Sequence, residues 1–148
     1  MSPINPLEVL EKMSSIAALA GLKAQVDESN MHLEMCFGLP NDRSQVVYVR
    51  PTAKKQDSVV VTIFSPCLKV KKGLMSGISK QQALDLLKRN EDTLFARYGV
   101  WSAREADMIV ASVDHLLDTL DPEEFMASAF HVAIAADIYE KEHGQDNY

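Results

Sequence analysis

The chain has 148 residues, of which 47% are hydrophobic and 24% are charged; this composition is typical of one folded domain, predicted over residues 1–148, and excludes a disordered chain. No apolar run approaches the roughly 20 residues of a membrane span, and the two cysteines are too few for a disulfide framework. The net charge of −6 disfavours nonspecific binding to phosphate backbones. The N-terminus lacks the pattern of a secretory signal, so the expected compartment is the cytoplasm.

The first predicted element is a helix over residues 6–20. Asn5 is a suitable N-cap, and Pro6 fits the first helical turn. Leu10 and Met13 belong to one apolar face, and Gly21 follows in the position where glycine commonly ends a helix.

A run of short strands follows the first helix. Alternating or β-branched residues predict strands at 22–26, 31–37, 45–50 and 58–65, with turn residues between them. Pro51 is expected to stop the third strand and Pro66 the fourth, because proline has no N–H for a strand ladder. Short turns between consecutive strands predict an antiparallel meander.

The middle of the chain contains a loop over 66–77 and then a helix capped by Ser79. A short strand is predicted at 98–101. Residues 103–117 are ambiguous, because their apolar positions fit a helical period and also alternate as in a strand. Periodicity alone favours the helix slightly.

The last predicted element is a long helix that begins after Asp121, with Pro122 in its first turn. Its apolar residues recur at steps of four and three, which places them in one stripe facing the core. The stripe consists of Phe125, Ala129, Val132, Ala136 and Tyr139.

No motif for catalysis, cofactor binding or metal binding is found. The four histidines, His32, His115, His131 and His143, have none of the spacings that typify metal ligands. No glycine-rich phosphate loop occurs, and nothing marks a base for Cys67. The sequence therefore predicts a protein without enzymatic activity, cofactor or metal, whose stability does not depend on chelators or reductants.

Charge is distributed unevenly along the chain. Residues 1–42 carry two basic and six acidic groups, residues 43–104 twelve basic and four acidic, and residues 105–148 one basic and eleven acidic. Acidic end segments that fold against a basic middle explain this arrangement. The alternative is a basic patch for an acidic partner such as nucleic acid, although no aromatic and basic sheet pattern of the RNA-recognition type is visible.

Three stretches carry a resemblance to a known family: NDRSQVVYV at 41–49, LLKRN at 86–90 leading to YGVW at 98–101, and LDTLDPEEF at 117–125 with ADIY at 136–139. They resemble the YbjN-like family, which has the type III secretion chaperone-like fold. The resemblance implies an α+β fold in which helices at the N-terminus, the middle and the C-terminus pack on a twisted antiparallel sheet. It also implies homodimers, neither cofactor nor catalysis, and a strand at 107–114 where periodicity favours a helix.

The expected function is that of a cytosolic, bacterial, chaperone-like binding protein that holds an extended segment of another protein at a sheet edge or apolar groove. The residues assigned to this partner are Arg43, Gln45, Val59, Val61 and Ile63. The dimer interface is assigned to Leu84 and Leu87 of the middle helix and to the strand that contains Val59 and Phe64.

Two alternatives remain open at this stage. The protein could instead be regulatory or associated with nucleic acid through its basic middle, which includes Lys54, Lys55, Lys69, Lys71 and Lys72. Arg43 could pair with a carboxylate of the acidic C-terminal region, with Gln45 satisfying backbone groups at the turn, or both could face a bound peptide. The paired arrangement is the preferred one, because most polar residues at strand entries serve turns.

Overall fold

The structure is a computed structural model and describes residues 5–55, 58–73, 77–144 and 147–148. Within these residues, three α-helices, α1 (Pro6–Leu19), α2 (Lys80–Asp92) and α3 (Pro122–Glu142), and a short 3-10 helix (Leu117–Thr119) accompany six strands. The strands are β1 (Ala24–Asp27), β2 (His32–Leu39), β3 (Arg43–Lys55), β4 (Ser58–Lys71), β5 (Arg97–Ser102) and β6 (Ala106–Leu116).

One antiparallel sheet contains all six strands in the order β1-β2-β3-β4-β6-β5. The first four strands form the predicted meander. β5 and β6 form a hairpin, which joins the sheet when β6 pairs with β4. The predicted α+β class, with N-terminal, middle and C-terminal helices on an antiparallel sheet, is confirmed.

Each helix begins at the residue that the sequence indicates. The Asn5 side chain accepts from the Leu7 N–H at 3.2 Å, and Asp121 caps α3 by accepting from the Glu124 N–H at 2.8 Å. Ser79 and Gln82 exchange two hydrogen bonds in a capping box at the start of α2. These side chains satisfy amide groups that have no partner inside the helix.

Two strands are longer than predicted, because neither Pro51 nor Pro66 stops its strand. β3 continues to Lys55 and β4 continues to Lys71, into the segment predicted as a loop. The register shifts between Pro51 and Ala53, and again between Pro66 and Leu68. A proline lacks the donor that a regular ladder needs, and an irregularity in the register accommodates it.

Residues 106–116 form strand β6, so the expectation from the family resemblance is confirmed and the helix favoured by periodicity is wrong. β6 lies between β4 and β5 and pairs with both. Part of β6 is therefore apolar on both faces, since the consecutive residues Ile109, Val110 and Ala111 are all buried. A strand that is buried on both sides loses the alternation that distinguishes it from a helix.

The core lies between the sheet and the helices. The predicted stripe of α3 faces it, and all five stripe residues are at most 1% exposed. α1 and α3 contact the sheet and each other. α2 lies beside α3, where Arg89 forms an ion pair with Glu142 and its guanidinium lies 5.1 Å from the Tyr139 ring centre. All three helices therefore lie on one side of the sheet.

Candidate binding surface

The side of the sheet opposite the helices carries the candidate surface, named here the open face. Successive strand residues point to opposite sides. Val47 and Val49 of β3 are fully buried in the core, so Tyr48 between them points to the open face. No helix of the described residues packs there. A partner can therefore contact the open face, and the side chains that line this face determine what it can bind.

Four rings cross the open face from β2 to β5, and we call them the aromatic row. His32, Tyr48, Phe64 and Trp101 have successive ring-centre distances of 4.6, 5.3 and 4.6 Å. The register explains this proximity, because Tyr48 lies directly opposite Phe64. On β6, the residue opposite Phe64 is Ser112, whereas Trp101 pairs with Met108, so Trp101 reaches Phe64 diagonally across β6.

The Arg50 side chain lies against the aromatic row at its Phe64–Trp101 end. Its guanidinium carbon lies 4.4 Å from the Trp101 ring centre and 5.1 Å from the Phe64 ring centre. Both distances are within the range of cation–π contacts. The open face therefore contains a positive charge held against two aromatic rings, while all four rings are only partly buried.

The charge on the open face changes sign along the sheet. Asp27 and Glu34 lie beside His32 at the β1–β2 edge, where their carboxylate oxygens are 3.5 and 3.9 Å from the His32 Nε2. Lys69 and Lys71 are exposed at the other end of β4. The pairing of Lys69 with Met108, which in turn pairs with Trp101, places Lys69 on the same face as Trp101.

Three of the five residues assigned to a partner are buried, which corrects the assignment. Gln45, Val61 and Ile63 are each 0% exposed. The Gln45 Nε2 donates to the Ser65 Oγ and to the Pro66 carbonyl, both at 2.8 Å. The two aliphatic side chains belong to the core under the helices. None of the three is exposed for contact with a bound segment.

The remaining two assigned residues are also engaged within the protein. Val59 is partly buried and packs against the core. The Arg43 Nε donates to the Asp137 Oδ1 at 2.7 Å, and the two side chains are only 15% and 13% exposed. The pairing of Arg43 with a carboxylate of the C-terminal region, which the sequence analysis preferred, is therefore present.

The sheet edges are less accessible than the sequence suggested. β1 is an edge strand of only four residues. At β5, the other edge, the Asn90 side chain accepts from the Tyr98 N–H at 2.7 Å and donates to the Tyr98 carbonyl at 3.1 Å. Asn90 thus occupies the groups that an added strand would use at Tyr98. The open face, and not an edge, is therefore the candidate surface, and at one end of it the Tyr148 hydroxyl contacts the Met108 sulfur at 3.9 Å.

The structure supports a basic surface patch for only part of the basic middle segment. Lys54 and Lys55 lie in β3, but their side chains are outside the described residues. Lys72 contacts Asp107 at 3.4 Å and donates to the Ala103 carbonyl at 2.6 Å. Exposed Lys69 and Lys71 remain as cations on the open face.

The two leucines assigned to the dimer interface lie on the outer side of α2. Leu84 is 40% exposed and Leu87 is 67% exposed. The strand assigned with them is not an edge, because β4 pairs with β3 and β6. Within that strand, Phe64 on the open face is partly exposed, as is Val59, whereas Val61 and Ile63 are buried.

The sequence analysis missed Tyr48, Arg50, Phe64 and Trp101. Each was recognised only as part of a strand, and no pattern linked them because they come from three strands. The sequence does show that they alternate with apolar valines and isoleucine, which indicates that they lie on the opposite face of their strands. Placing the four side chains together, however, requires the register between the strands.

None of the helices in the described part of the chain has the length and apolar character that crossing a bilayer requires. Comparison of the sequence with models of known families gives no matching family, and a search of curated proteins gives no significant match.

Proposed function

We propose that the protein is a cytosolic, non-enzymatic binding protein that holds an extended segment of another protein across the open face of its sheet. The observation that carries the proposal is the aromatic row, four partly exposed rings that form one continuous path over the sheet. Aromatic side chains supply large contact areas with little loss of conformational freedom. This mode also agrees with the resemblance to chaperone-like folds.

The charges indicate what the bound segment contains. Lys69 and Lys71 lie toward one end of the open face, whereas Asp27 and Glu34 lie toward the other. An extended segment with apolar residues against the rings and acidic residues near Lys69 and Lys71 complements both features. We therefore propose an apolar segment with an acidic end as the ligand.

Single-stranded nucleic acid is the second candidate, because bases also stack on aromatic side chains of open sheets beside cations. The geometry favours it less. Arg50 already lies over the rings of Phe64 and Trp101, where a base would stack. Asp27 and Glu34 on the same face would repel phosphate groups.

Trp101 is the only tryptophan, so its fluorescence reports directly on occupation of the open face. A library of random peptides would be selected against the protein, and the enriched peptides titrated while Trp101 emission is recorded. We expect enrichment of apolar sequences with an acidic end and a change in Trp101 emission on binding. Phe64→Ser is expected to weaken binding at least tenfold, because it removes the central ring of the row.

Leu19→Ser is the matched control, since Leu19 is 77% exposed on α1, on the opposite side of the sheet, and this variant should bind the peptides like the wild type. Peptides that bind Phe64→Ser as tightly as the wild type would contradict the proposal. An oligothymidylate that quenches Trp101 with a steep salt dependence, with no peptide enriched, would instead favour nucleic acid.

We also propose that the protein forms a homodimer through the outer side of α2. Leu84 and Leu87 are exposed there, and two-fold pairing is a common way to cover such apolar side chains. Sedimentation equilibrium at micromolar concentration is expected to show a dimer, and Leu87→Lys a monomer. Leu19→Lys, at a 77% exposed leucine of α1, should remain dimeric. A monomeric wild type would remove the proposal.

A further inference from the structure

Three potential metal ligands converge at the β1–β2 hairpin. Asp27 and His32 are direct partners in the register, and Glu34 lies two residues beyond His32 on the same face. One ligand atom from each lies within 4.8 Å of the other two. The spacing of these three residues in the sequence does not match a known metal-binding motif, because the group forms only when β1 pairs with β2.

The His32 ring is positioned as a ligand would be. Its Nε2 is buried and has no hydrogen-bond partner within the described residues. The nearest carboxylate oxygens, Asp27 Oδ2 at 3.5 Å and Glu34 Oε2 at 3.9 Å, are too far for good hydrogen bonds. The ring is held from the side by Tyr48, with ring centres 4.6 Å apart, so its orientation is fixed.

The separations suit a shared ion better than direct contact. Two ligands that each lie about 2.1 Å from a Zn²⁺ ion at a tetrahedral angle are separated by about 3.4 Å. The Asp27–His32 distance already has this value. Glu34 has a side chain that is 45% exposed, so it can move closer to the other two ligands without disturbing the core.

Asp27 is oriented by Asn30 in the turn of the hairpin. The Asn30 backbone N–H donates to the Asp27 Oδ1 at 3.1 Å, and the Asn30 Nδ2 donates to the Oδ2 at 2.8 Å. These bonds lower the pKa of Asp27 and keep it as an anion. Supporting bonds of this kind orient carboxylate ligands in metal sites.

We propose that Asp27, His32 and Glu34 bind one divalent transition-metal ion of the Zn²⁺ class, with water in the remaining positions. One imidazole and two carboxylates form a donor set for Zn²⁺ and similar ions, whereas Mg²⁺ prefers oxygen ligands alone. The site shares His32 with the aromatic row, but the Zn²⁺ titration that tests it needs no polypeptide ligand. The proposed site contradicts the prediction, made from ligand spacing in the sequence, that the protein has no metal site.

Isothermal titration of chelator-treated protein with Zn²⁺ tests the site. The experiments use the Cys36→Ser background, because Cys36 is an exposed thiol that can bind Zn²⁺ on its own. We expect one Zn²⁺ per chain, with affinity reduced at least tenfold in His32→Ala and in Glu34→Gln. Glu34→Gln nearly preserves the shape of an exposed residue, so its folding is not at risk.

His143→Ala is the matched control, because it removes an exposed histidine at the C-terminal end of α3 and should leave the affinity unchanged. Absence of saturable Zn²⁺ binding would overturn the proposal. Equal affinity in Glu34→Gln and the background protein would also overturn it. In either case the three side chains would form only a polar cluster at the β1–β2 hairpin.

Discussion

Raising the pH from 8 to 11 is expected to lower the free energy of unfolding by roughly 2 kcal/mol through Cys67 alone. Cys67 is 0% exposed in the core. Burial, and then the nearby Glu140 carboxylate, raise the pKa of its thiol well above the ordinary value of 9.0. Denaturant unfolding at a series of pH values measures the loss.

The direction follows from proton binding in the two states. Between pH 9 and 11 the unfolded chain loses the Cys67 proton while the folded protein keeps it. The unfolded state then binds fewer protons, so stability falls as the pH rises. Tyr98 acts in the same direction above pH 10, because burial raises the pKa of its hydroxyl, which donates to the Ala135 carbonyl at 2.5 Å.

A cysteine variant separates the contributions of Cys67 and Tyr98. Cys67→Ala is expected to lose about 1 kcal/mol less stability than the wild type between pH 9 and 10, where the thiol of the unfolded chain titrates. Cys36→Ser removes an exposed thiol and should follow the wild type. The same loss between pH 9 and 10 in Cys67→Ala and the wild type would show that other groups cause it.

Arg43→Ala is expected to lower the free energy of unfolding by about 2–4 kcal/mol. The change leaves Asp137 without its arginine between β3 and α3, where both side chains are more than four-fifths buried. Removing one partner of a buried pair is costly because the other charge stays desolvated. Thermal or urea unfolding measures the effect, and Asp137→Ala completes a double-mutant cycle.

Lys12→Ala is the control for an exposed ion pair. Lys12 and Asp118 are 3.4 Å apart, and their side chains are 54% and 58% exposed. Its loss should not exceed about 0.5 kcal/mol. If Arg43→Ala costs as little as Lys12→Ala, the Arg43–Asp137 pair does not hold α3 to the sheet, and a role of Arg43 toward an external partner becomes the better explanation.

The helices were the most predictable part of the fold, because their signals are local. The caps Asn5, Ser79 and Asp121 lie immediately before the residues where the helices begin. The stripe of α3 needs only the helical period to be recognised. Each of these features is determined by residues within a few positions of one another, so no knowledge of the fold is required.

The strand lengths and β6 were less predictable, because they depend on neighbouring strands. Pro51 and Pro66 were expected to end strands, but register irregularities beside them allow β3 and β4 to continue. β6 looks helical because burial on both faces removes its alternation. Only the resemblance to a family indicated the strand correctly.

The candidate site was predicted least well, because it requires knowing which face of each strand is covered. In β4 both sets of alternating residues are largely apolar, with Val61 and Ile63 on one face and Phe64 on the other. The sequence analysis chose the side chains that lie in the core. The positions of α1 and α3 determine which face of β4 is covered, and these positions depend on contacts between residues that are far apart in the chain.

The pairing of β4 with β6 also affects how the protein is made. Val60 pairs with Leu116, and the core requires the stripe of α3 as far as Tyr139. During synthesis, the meander therefore emerges from the ribosome well before β6 and α3 that complete it. Until then the inner face of β4 is exposed to water and to other nascent chains. Folding therefore waits for these late elements, and its pace is set by contacts between distant parts of the chain.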